Sequence, residues 1–292
     1  MDVKWIVTDM DGTLLNSRDE ITERTKKALM ACQEKGIRLI LASGRSYVRQ
    51  MPYAKELMLR EYGGCLIENN GLTVNDMTPG GRHKLAYLGQ KDVERLFPIL
   101  QKWEVEIQGY EDDGVYYWIP DWQRPLKEQE RQKKGYPDDY PLVAGAWGWI
   151  GDNINSYPRQ IEICTMEELP MKLNKMNATD REGRIHELYQ FFEKEFTGQY
   201  EFVRTGPRLI EISPKGITKG QTLKRLMEAA GIRPEEVMAF GDGENDVDMF
   251  RTVKYGIAVG NAADYVKEHA FDVTATNNED GIAAALEKYG VI

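Results

Sequence analysis

The chain has few of the residues that bind metals through sulfur or nitrogen or that build disulfide frameworks. Its 292 residues include three cysteines and three histidines, namely Cys32, Cys65, Cys164, His83, His186 and His269. The cysteines are widely spaced and odd in number, so we expect free thiols in a reducing compartment. The histidines lack the His-x-x-x-His spacing or the neighbouring carboxylates that indicate a zinc site.

Long apolar runs and an excess of positive charge are also absent. No stretch approaches the roughly 18 consecutive apolar residues that a membrane-spanning helix needs. The apolar start of the chain is far shorter than a secretory signal and leads directly into two aspartates. The formal net charge of -9 argues against a basic face for nucleic acid or for anionic membranes. We therefore expect a soluble, cytoplasmic protein whose partners include neither.

The most informative stretch lies near the N-terminus. A mostly apolar segment, residues 3–8, is followed by Asp9 and Asp11, one residue apart, and by Gly12. This pattern predicts a buried strand that delivers two carboxylates to the crevice at the carboxyl edge of a parallel sheet. Two acidic groups so close repel each other unless a cation lies between them or one keeps its proton, and Mg²⁺ is the usual cation. Considered alone, the pattern fits a solvated turn about equally well.

A second apolar run, residues 37–42, ends in Ser43 and Gly44 just before a helix. A hydroxyl beside free backbone N–H groups at the start of a helix is a natural site for a phosphate. Ser43 alone is equally well explained as a cap of that helix. We expect Pro52 to interrupt the helix, because proline removes a backbone donor.

Other elements of this part of the chain follow from capping and turn residues. Thr22 can cap a helix that extends to Lys35 and stops at Gly36. The apolar run at 65–67 predicts a third strand, and the Asn-Asn-Gly sequence at 69–71 predicts the turn of a hairpin.

Another apolar run followed by polar residues occurs towards the C-terminus. Residues 237–240 form another apolar run, which is followed by Asp242, Asn245 and Asp246. Two strands then deliver carboxylates to the same region, which is the arrangement that a divalent metal needs.

The middle of the chain, residues 83–213, has a different amino-acid composition. It is rich in aromatic and charged residues, and it holds five of the six tryptophans. We interpret it as an inserted α/β cap, with residues 1–82 and 214–292 forming the core. Within it we predict helices at 91–102 and 182–196 and strands at 115–119, 146–150, 160–164, 200–204 and 209–212. We expect its tryptophans to pack the sheet more than to bind a ligand.

Four stretches resemble, in order and in strand context, the four motifs of the haloacid dehalogenase-like superfamily: Asp9-Met10-Asp11-Gly12-Thr13, Ser43-Gly44-Arg45, Thr218-Lys219-Gly220 and Gly241-Asp242-Gly243-Glu244-Asn245-Asp246. The insertion between the second and third motifs resembles the Cof-type sugar-phosphate phosphatase branch. The resemblance implies an α/β fold with a Rossmann-like parallel-sheet core and an inserted α+β cap domain that governs substrate specificity.

The resemblance also implies a Mg²⁺-dependent phosphatase that hydrolyses small phosphorylated metabolites, sugar phosphates above all, through an aspartyl-phosphate. Asp9 would be the nucleophile, because a carboxylate can attack phosphorus without first losing a proton. Asp11 would protonate the leaving alkoxide and then activate the water that hydrolyses the intermediate. Its side chain should therefore stay free of the metal.

Ligand and phosphate contacts follow from the same resemblance. The metal would be held by the carboxylates of Asp9 and Asp242 and by the backbone carbonyl of Asp11. The implied phosphate-binding residues are Gly12, Ser43, Gly44, Lys219 and Asn245. Asp246 would orient Lys219 and the water ligands. Lys215 is a rival for Lys219, and Arg45 is interpreted as a structural residue or a partner in a salt bridge at the start of a helix.

Two other functions remain compatible with these residues. A phosphotransferase or phosphomutase would resolve the aspartyl-phosphate with a second hydroxyl instead of water. A phospho-acceptor or regulatory module without turnover would also combine strand-end aspartates, a hydroxyl and a lysine. The insertion and the two acidic strand ends favour the enzyme. The sequence predicts no particular oligomeric state.

Overall fold

The computed structural model describes residues 1–78, 80–151 and 157–292. The chain forms two compact units, Met1–Leu85 with Ile217–Ile292, and Ala86–Gly216. The predicted boundaries, after residues 82 and 213, each lie three residues before those of the structure. At the first boundary His83 belongs to a strand that pairs with Val74 in the first unit, so the sheet continues past the point where the composition changes.

In the first segment of the core unit, the residues that the structure describes form five strands and two α-helices. They are β1 (Trp5–Thr8), α1 (Glu23–Glu34), β2 (Arg38–Ala42), α2 (Tyr47–Glu56), β3 (Cys65–Glu68), β4 (Thr73–Asp76) and β5 (Gly81–Lys84). The Thr22 side chain caps α1 by accepting from the Thr25 N–H, and Gly36 follows the end of the helix with φ 83°. The expected helix bounds are therefore close to those observed.

Pro52 lies inside α2, so the predicted interruption of this helix is wrong. A proline inside a helix removes one backbone hydrogen bond and costs about 3 kcal/mol relative to alanine. Ala54 and Leu57, which follow the proline, are buried in the core. Their packing holds the last turn of the helix in place despite the lost bond.

The described residues of the inserted unit form eight strands and three helices. They are β6 (Leu88–Gly89), α3 (Gln90–Lys102), β7 (Glu106–Tyr110), β8 (Gly114–Trp118), α4 (Arg124–Lys133), β9 (Arg159–Glu162), β10 (Lys172–Leu173), β11 (Lys175–Thr179), α5 (Glu182–Glu195), β12 (Tyr200–Gly206) and β13 (Leu209–Pro214). Both predicted helices correspond to α3 and α5, and four of the predicted strands correspond to β8, β9, β12 and β13.

The strand predicted at 146–150 is wrong, because this segment forms a series of bends. The backbone N–H groups of Trp149 and Ile150 donate to the Glu130 side chain of α4 at 3.0 and 3.3 Å instead of to a neighbouring strand. Buried charges hold this segment and the residues just before it. The Lys127 ammonium donates to the carbonyls of Leu142 and Trp149 at 2.9 and 2.7 Å. It also forms an ion pair with Glu106, whose Oε1 accepts from the Ala144 N–H at 2.9 Å, and both charged side chains are fully buried.

The second segment of the core unit completes the fold. Its elements are α6 (Lys219–Ala230), β14 (Val237–Gly241), α7 (Val247–Thr252), β15 (Tyr255–Ala258), α8 (Asp264–Lys267), β16 (Asp272–Val273) and α9 (Gly281–Lys288). Thr218 caps α6 by accepting from the Gln221 N–H, and Gly231 ends it in the left-handed conformation with φ 64°.

Eight strands form the core sheet in the order β16-β15-β14-β1-β2-β3-β4-β5. The first six run parallel, β4 is antiparallel to β3, and β5 is in turn antiparallel to β4. Apolar clusters lie on both faces of the sheet. The predicted fold class, a Rossmann-like parallel-sheet core with an inserted α+β unit, is confirmed.

The inserted unit has its own sheet and core. Six strands follow the order β12-β13-β11-β7-β8-β9; β8 and β9 pair in parallel, and the other described pairs are antiparallel. An apolar cluster that includes Leu96, Ile185 and Phe192 packs helices α3 and α5 on this sheet. Within the described parts of the chain, no helix combines the length and the apolar character needed to cross a bilayer.

Candidate active site

The central strand β1 and its neighbour β14 end side by side at the carboxyl edge of the core sheet. Thr8 is in register with Phe240, and the Asp9 N–H donates to the Phe240 carbonyl at 2.9 Å. One carboxylate oxygen from each of Asp9, Asp242 and Asp246 lies within 4.8 Å of the others. The structure therefore brings Asp9 together with two aspartates that lie more than 230 residues further along the chain.

Lys219, the first residue of α6, is the positive charge among these carboxylates. Its ammonium is fully buried and donates to Asp9 Oδ1 at 2.5 Å and to Asp246 Oδ1 at 2.7 Å. Burial acts to lower the pKa of Lys219, but the carboxylates of Asp246 and Asp9 outweigh it and hold that pKa above its ordinary value. The rival Lys215 is exposed and belongs to the other unit.

Asp9 is buried, and burial is the largest influence on its ionisation. It raises the pKa of Asp9 well above the ordinary value, and the negative charges of Asp246 and Asp242 act in the same direction. The Lys219 ammonium opposes this rise through its charge and its hydrogen bond. The lysine is therefore the group of the protein that favours an ionised Asp9.

Asp246 organises the loop after β14. Its Oδ2 accepts from the backbone N–H groups of Asp242 and Gly243 at 3.0 Å each, while its Oδ1 accepts from Lys219. A Cβ on Gly241 would lie 2.5 Å from the Asp246 side chain, so the close approach requires glycine. Both oxygens of Asp246 are engaged, which leaves Asp9 and Asp242 as the better carboxylate ligands for a metal.

Asp242 is oriented by the segment that follows β1. Its Oδ1 accepts from the Thr13 hydroxyl at 2.6 Å. Gly12 has φ 74°, and a Cβ there would lie 2.5 Å from Asp242 Oδ2. Burial raises the pKa of Asp242 to about 6, and the hydrogen bond from Thr13 opposes the rise. Hard carboxylate oxygens gathered in this way fit Mg²⁺.

Asp11 points its carboxylate to a different partner. Arg45 Nε donates to Asp11 Oδ2 at 2.9 Å and to Oδ1 at 3.1 Å, and Arg45 Nη2 donates to the same carboxylate. The Asp11 oxygens are not part of the close group formed by Asp9, Asp242 and Asp246. The arginine, interpreted from sequence as a structural residue or a partner in a salt bridge at the start of a helix, forms that salt bridge with the predicted acid.

Ser43 and Gly44 lie beside the loop that follows β3. The buried Ser43 Oγ accepts from the Arg45 N–H at 3.1 Å, and its carbonyl accepts from the Asn70 N–H at 3.0 Å. A Cβ on Gly44 would lie 3.2 Å from Asn70 Nδ2. Asn70 Oδ1 in turn accepts from Asn245 Nδ2 at 2.9 Å. The predicted phosphate-binding residues of the second and fourth motifs are thus linked through Asn70.

Sequence reasoning missed two residues of this site, Thr13 and Asn70, and it assigned Arg45 no part in the reaction. A signal was present for Asn70, because two polar residues follow the third buried strand in the way that Asp9 and Ser43 follow the first two. We interpreted them only as a hairpin turn, which they also form.

A comparison of the sequence with known protein families agrees with the site described above. A family model described as haloacid dehalogenase-like hydrolase covers residues 6–286. The chain belongs to the haloacid dehalogenase-like hydrolases. The resemblance seen in the four motifs is therefore confirmed, and so is the prediction of an enzyme.

Relatives of this haloacid dehalogenase-like hydrolase align along almost the whole chain. Phosphatase YwpJ of Bacillus subtilis (strain 168) is 29% identical over 294 residues, which are 98% of this chain and 99% of the relative. The 5-amino-6-(5-phospho-D-ribitylamino)uracil phosphatase YcsE of the same bacterium is 27% identical over 289 residues, 99% of this chain and 96% of the relative. A crystal structure of a haloacid dehalogenase-like hydrolase from Bacteroides thetaiotaomicron superposes with a TM-score of 0.77 at 29% identity, covering 98% of this chain and 99% of that one.

Proposed function

We propose that this protein is a Mg²⁺-dependent phosphatase that hydrolyses small phosphorylated metabolites, sugar phosphates above all, through an aspartyl-phosphate on Asp9. The observation that carries the proposal is the buried Lys219 ammonium between Asp9 and Asp246, beside the carboxylate of Asp242. Relatives named as phosphatases support the reaction class.

The metal would be held by the carboxylates of Asp9 and Asp242 and by the backbone carbonyl of Asp11. When bound, a divalent cation supplies positive charge that favours the ionised Asp9 and offsets the charge of the phosphoryl group. Thr13 keeps Asp242 in one orientation through its hydroxyl. Asp246 orients Lys219 by accepting a hydrogen bond from its ammonium.

In the first step the Asp9 carboxylate attacks phosphorus while the bond from phosphorus to the ester oxygen breaks. The departing oxygen takes the proton of Asp11 and leaves as an alcohol. Asp11, now ionised, accepts a proton from the water that attacks the aspartyl-phosphate. Inorganic phosphate leaves, and the Asp9 carboxylate is restored.

The phosphoryl oxygens would be bound by the Ser43 hydroxyl, the backbone N–H groups of Gly12 and Gly44, and the side chains of Lys219 and Asn245. These groups contact only what all phosphate monoesters share. We therefore assign discrimination between metabolites to the inserted unit.

The proposal is tested by assaying the purified protein against phosphorylated sugars, nucleotides and cofactors, with Mg²⁺ and with a chelator. We expect release of inorganic phosphate that requires the metal, and a loss of more than about a thousandfold in Asp9→Asn, as for other catalytic nucleophiles. Asp76→Asn is the matched control, because Asp76 pairs with Cys65 at the far end of β3. A phosphorylated isomer in place of inorganic phosphate would indicate a phosphomutase.

The covalent step has a separate readout. Acid-quenched protein should retain radiolabelled phosphate from the substrate and release it with hydroxylamine, which cleaves acyl-phosphates. Full turnover by Asp9→Asn, or no label on a rapidly turning-over protein, would refute an aspartyl-phosphate at this residue.

A further inference from the structure

The guanidinium of Arg45 is buried, yet Arg45 is not among the residues that we propose to bind the phosphoryl group. Its side chain is 6% exposed, and the pairing with Asp11 uses Nε and Nη2 in a fork that matches the carboxylate. Burial acts to lower the pKa of Arg45, but the hydrogen bonds and charge of Asp11 outweigh it. An arginine this deeply buried is stabilised only where anions and acceptors compensate it.

Two further groups hold the guanidinium independently of Asp11. Arg45 Nη2 lies 3.2 Å from Asp19 Oδ1, and Nη1 donates to the Tyr53 hydroxyl at 3.4 Å. The Arg45 Cζ atom lies 5.5 Å from the centre of the Tyr53 ring, and the Tyr53 hydroxyl donates to the Asp19 carbonyl at 3.0 Å. The arginine can therefore stay in place when the Asp11 carboxylate turns to another partner.

The Asp11 carboxylate could bind a metal if Arg45 did not hold it. Its side chain is 58% exposed and follows Asp9 by two residues, at the edge of the sheet where Asp242 also lies. The Asp11 charge is close enough to Asp242 to contribute to the raised pKa of that residue. A flexible carboxylate in this position is an additional oxygen ligand for a divalent cation.

We propose that Arg45 is a positioning residue that keeps the Asp11 carboxylate away from the metal. The backbone carbonyl of Asp11 then faces the metal while its side chain stays available to the leaving group. Without the arginine, the carboxylate would enter the coordination shell, where it could neither donate nor accept the proton of the reaction. The inference rests on the proposed metal-dependent function, and the geometry that carries it is the Arg45–Asp11 fork.

The first test measures Mn²⁺ binding by calorimetry in the absence of substrate. We expect Arg45→Gln to bind Mn²⁺ roughly tenfold more tightly than the unsubstituted protein, because one more carboxylate joins the shell. In an Asp11→Asn background the same substitution should produce no such gain. Arg38→Gln is the matched control, because Arg38 pairs with Asp76 and contacts the Trp5 ring at the opposite end of β2.

The second test counts the waters on bound Mn²⁺ by electron spin echo in deuterated water. Arg45→Gln should have one water fewer than the unsubstituted protein, and Asp11→Asn should restore it. The kcat of Arg45→Gln should fall even though its metal affinity rises, a combination that a general loss of structure would not produce. Arg45→Lys, which keeps the charge but loses the fork, should show a smaller gain in affinity and serves if Arg45→Gln does not fold.

Equal tightening in the Asp11→Asn background would overturn the inference, because the gain would then come from removal of a positive charge alone. An unchanged water count with unchanged affinity in both Arg45 variants would overturn it as well. If the unsubstituted protein binds no Mn²⁺, the metal-dependent function itself fails, and the inference fails with it.

Discussion

Asn70 accepts a 2.9 Å hydrogen bond from Asn245, which ties the loop after β3 to the loop after β14. Asn70 adopts a left-handed conformation, φ 55° and ψ 30°, which asparagine tolerates better than most residues other than glycine. Its backbone N–H is used by the Ser43 carbonyl. One residue thus positions groups on both sides of the proposed phosphoryl site.

We expect Asn70→Ala and Asn70→Gly to weaken inhibition by inorganic phosphate by roughly tenfold, because each loses one charge-neutral hydrogen bond that orients Asn245. Only the alanine variant should also unfold at lower temperature, since a left-handed alanine costs about 1 kcal/mol more than glycine. Inhibition constants and thermal unfolding measure the two effects separately. An unchanged inhibition constant in both variants would show that Asn70 is merely a turn residue.

Asp11→Asn keeps the backbone carbonyl but can neither donate nor accept the proton. In single-turnover phosphorylation of the enzyme, we expect an alkyl phosphate to lose on the order of a hundredfold or more in rate. An aryl phosphate should lose much less, because its leaving group needs little protonation. Rapid-quench measurement with both substrates tests this, and equal losses would remove Asp11 from the role of acid.

The raised pKa of Asp242 predicts a pH dependence of stability in the metal-free protein. Burial raises this pKa from 3.8 to about 6, so the folded state binds the proton more tightly than the unfolded chain. The stabilisation is present at low pH and is lost as the pH rises through the folded value. Between the unfolded pKa of 3.8 and the folded pKa of about 6, the unfolding free energy of Asp242→Asn should therefore rise with pH relative to that of the unsubstituted protein.

Denaturant unfolding in a chelator, at several pH values, measures this difference. Added Mg²⁺ should stabilise the unsubstituted protein most at the upper end of the range, where Asp242 is ionised, and should have little effect on Asp242→Asn. Parallel pH curves for the two proteins would contradict the assignment.

Because Lys127 and Glu106 form a buried ion pair, we expect the effects of substituting them on the unfolding free energy to be strongly non-additive. Lys127→Met should destabilise the protein by about 3–5 kcal/mol, because it leaves a buried carboxylate without its cation. Adding Glu106→Gln should recover part of that loss, since the amide oxygen can still accept from Ala144. Lys133→Met, at an exposed position of the same helix, is the control. Unfolding free energies that add would show that the two charges do not interact.

The parts of the fold that could be predicted were those in which apolar residues alone decide burial. β1, β2 and β14 are short apolar runs with polar ends, and their C-terminal residues could be assigned to one edge of a sheet. Helices α3 and α5 begin and end within one residue of the predicted positions, because their apolar residues recur at helical spacing.

Two of the missed strands, β7 and β11, bury polar residues. β7 contains Glu106 and Gln108, and β11 contains Lys175, all of them buried. Lys175 is acceptable there because it forms a 2.5 Å ion pair with Glu211 of β13. Such pairing depends on residues far apart in sequence, so the periodicity of a single segment does not reveal it.

The site shows the same division. Asp9, Asp11, Ser43, Lys219 and Asp242 could be proposed because each follows or precedes a recognisable element in a motif. The partners that orient them, such as Thr13 for Asp242 and Arg45 for Asp11, are defined by distances between loops. Local pattern carries no information on those distances.

The hydrogen bond between Lys219 and Asp9 joins residues that are 210 positions apart, so it can form only late in the synthesis of the chain. During synthesis the first strand leaves the ribosome long before α6 and β14 exist, and at about 5–20 residues per second the interval lasts on the order of ten seconds or more. Throughout that interval Asp9 lacks both its ammonium partner and the second acidic loop. The proposed active site is therefore incomplete on a nascent chain until Lys219, Asp242 and Asp246 have been made.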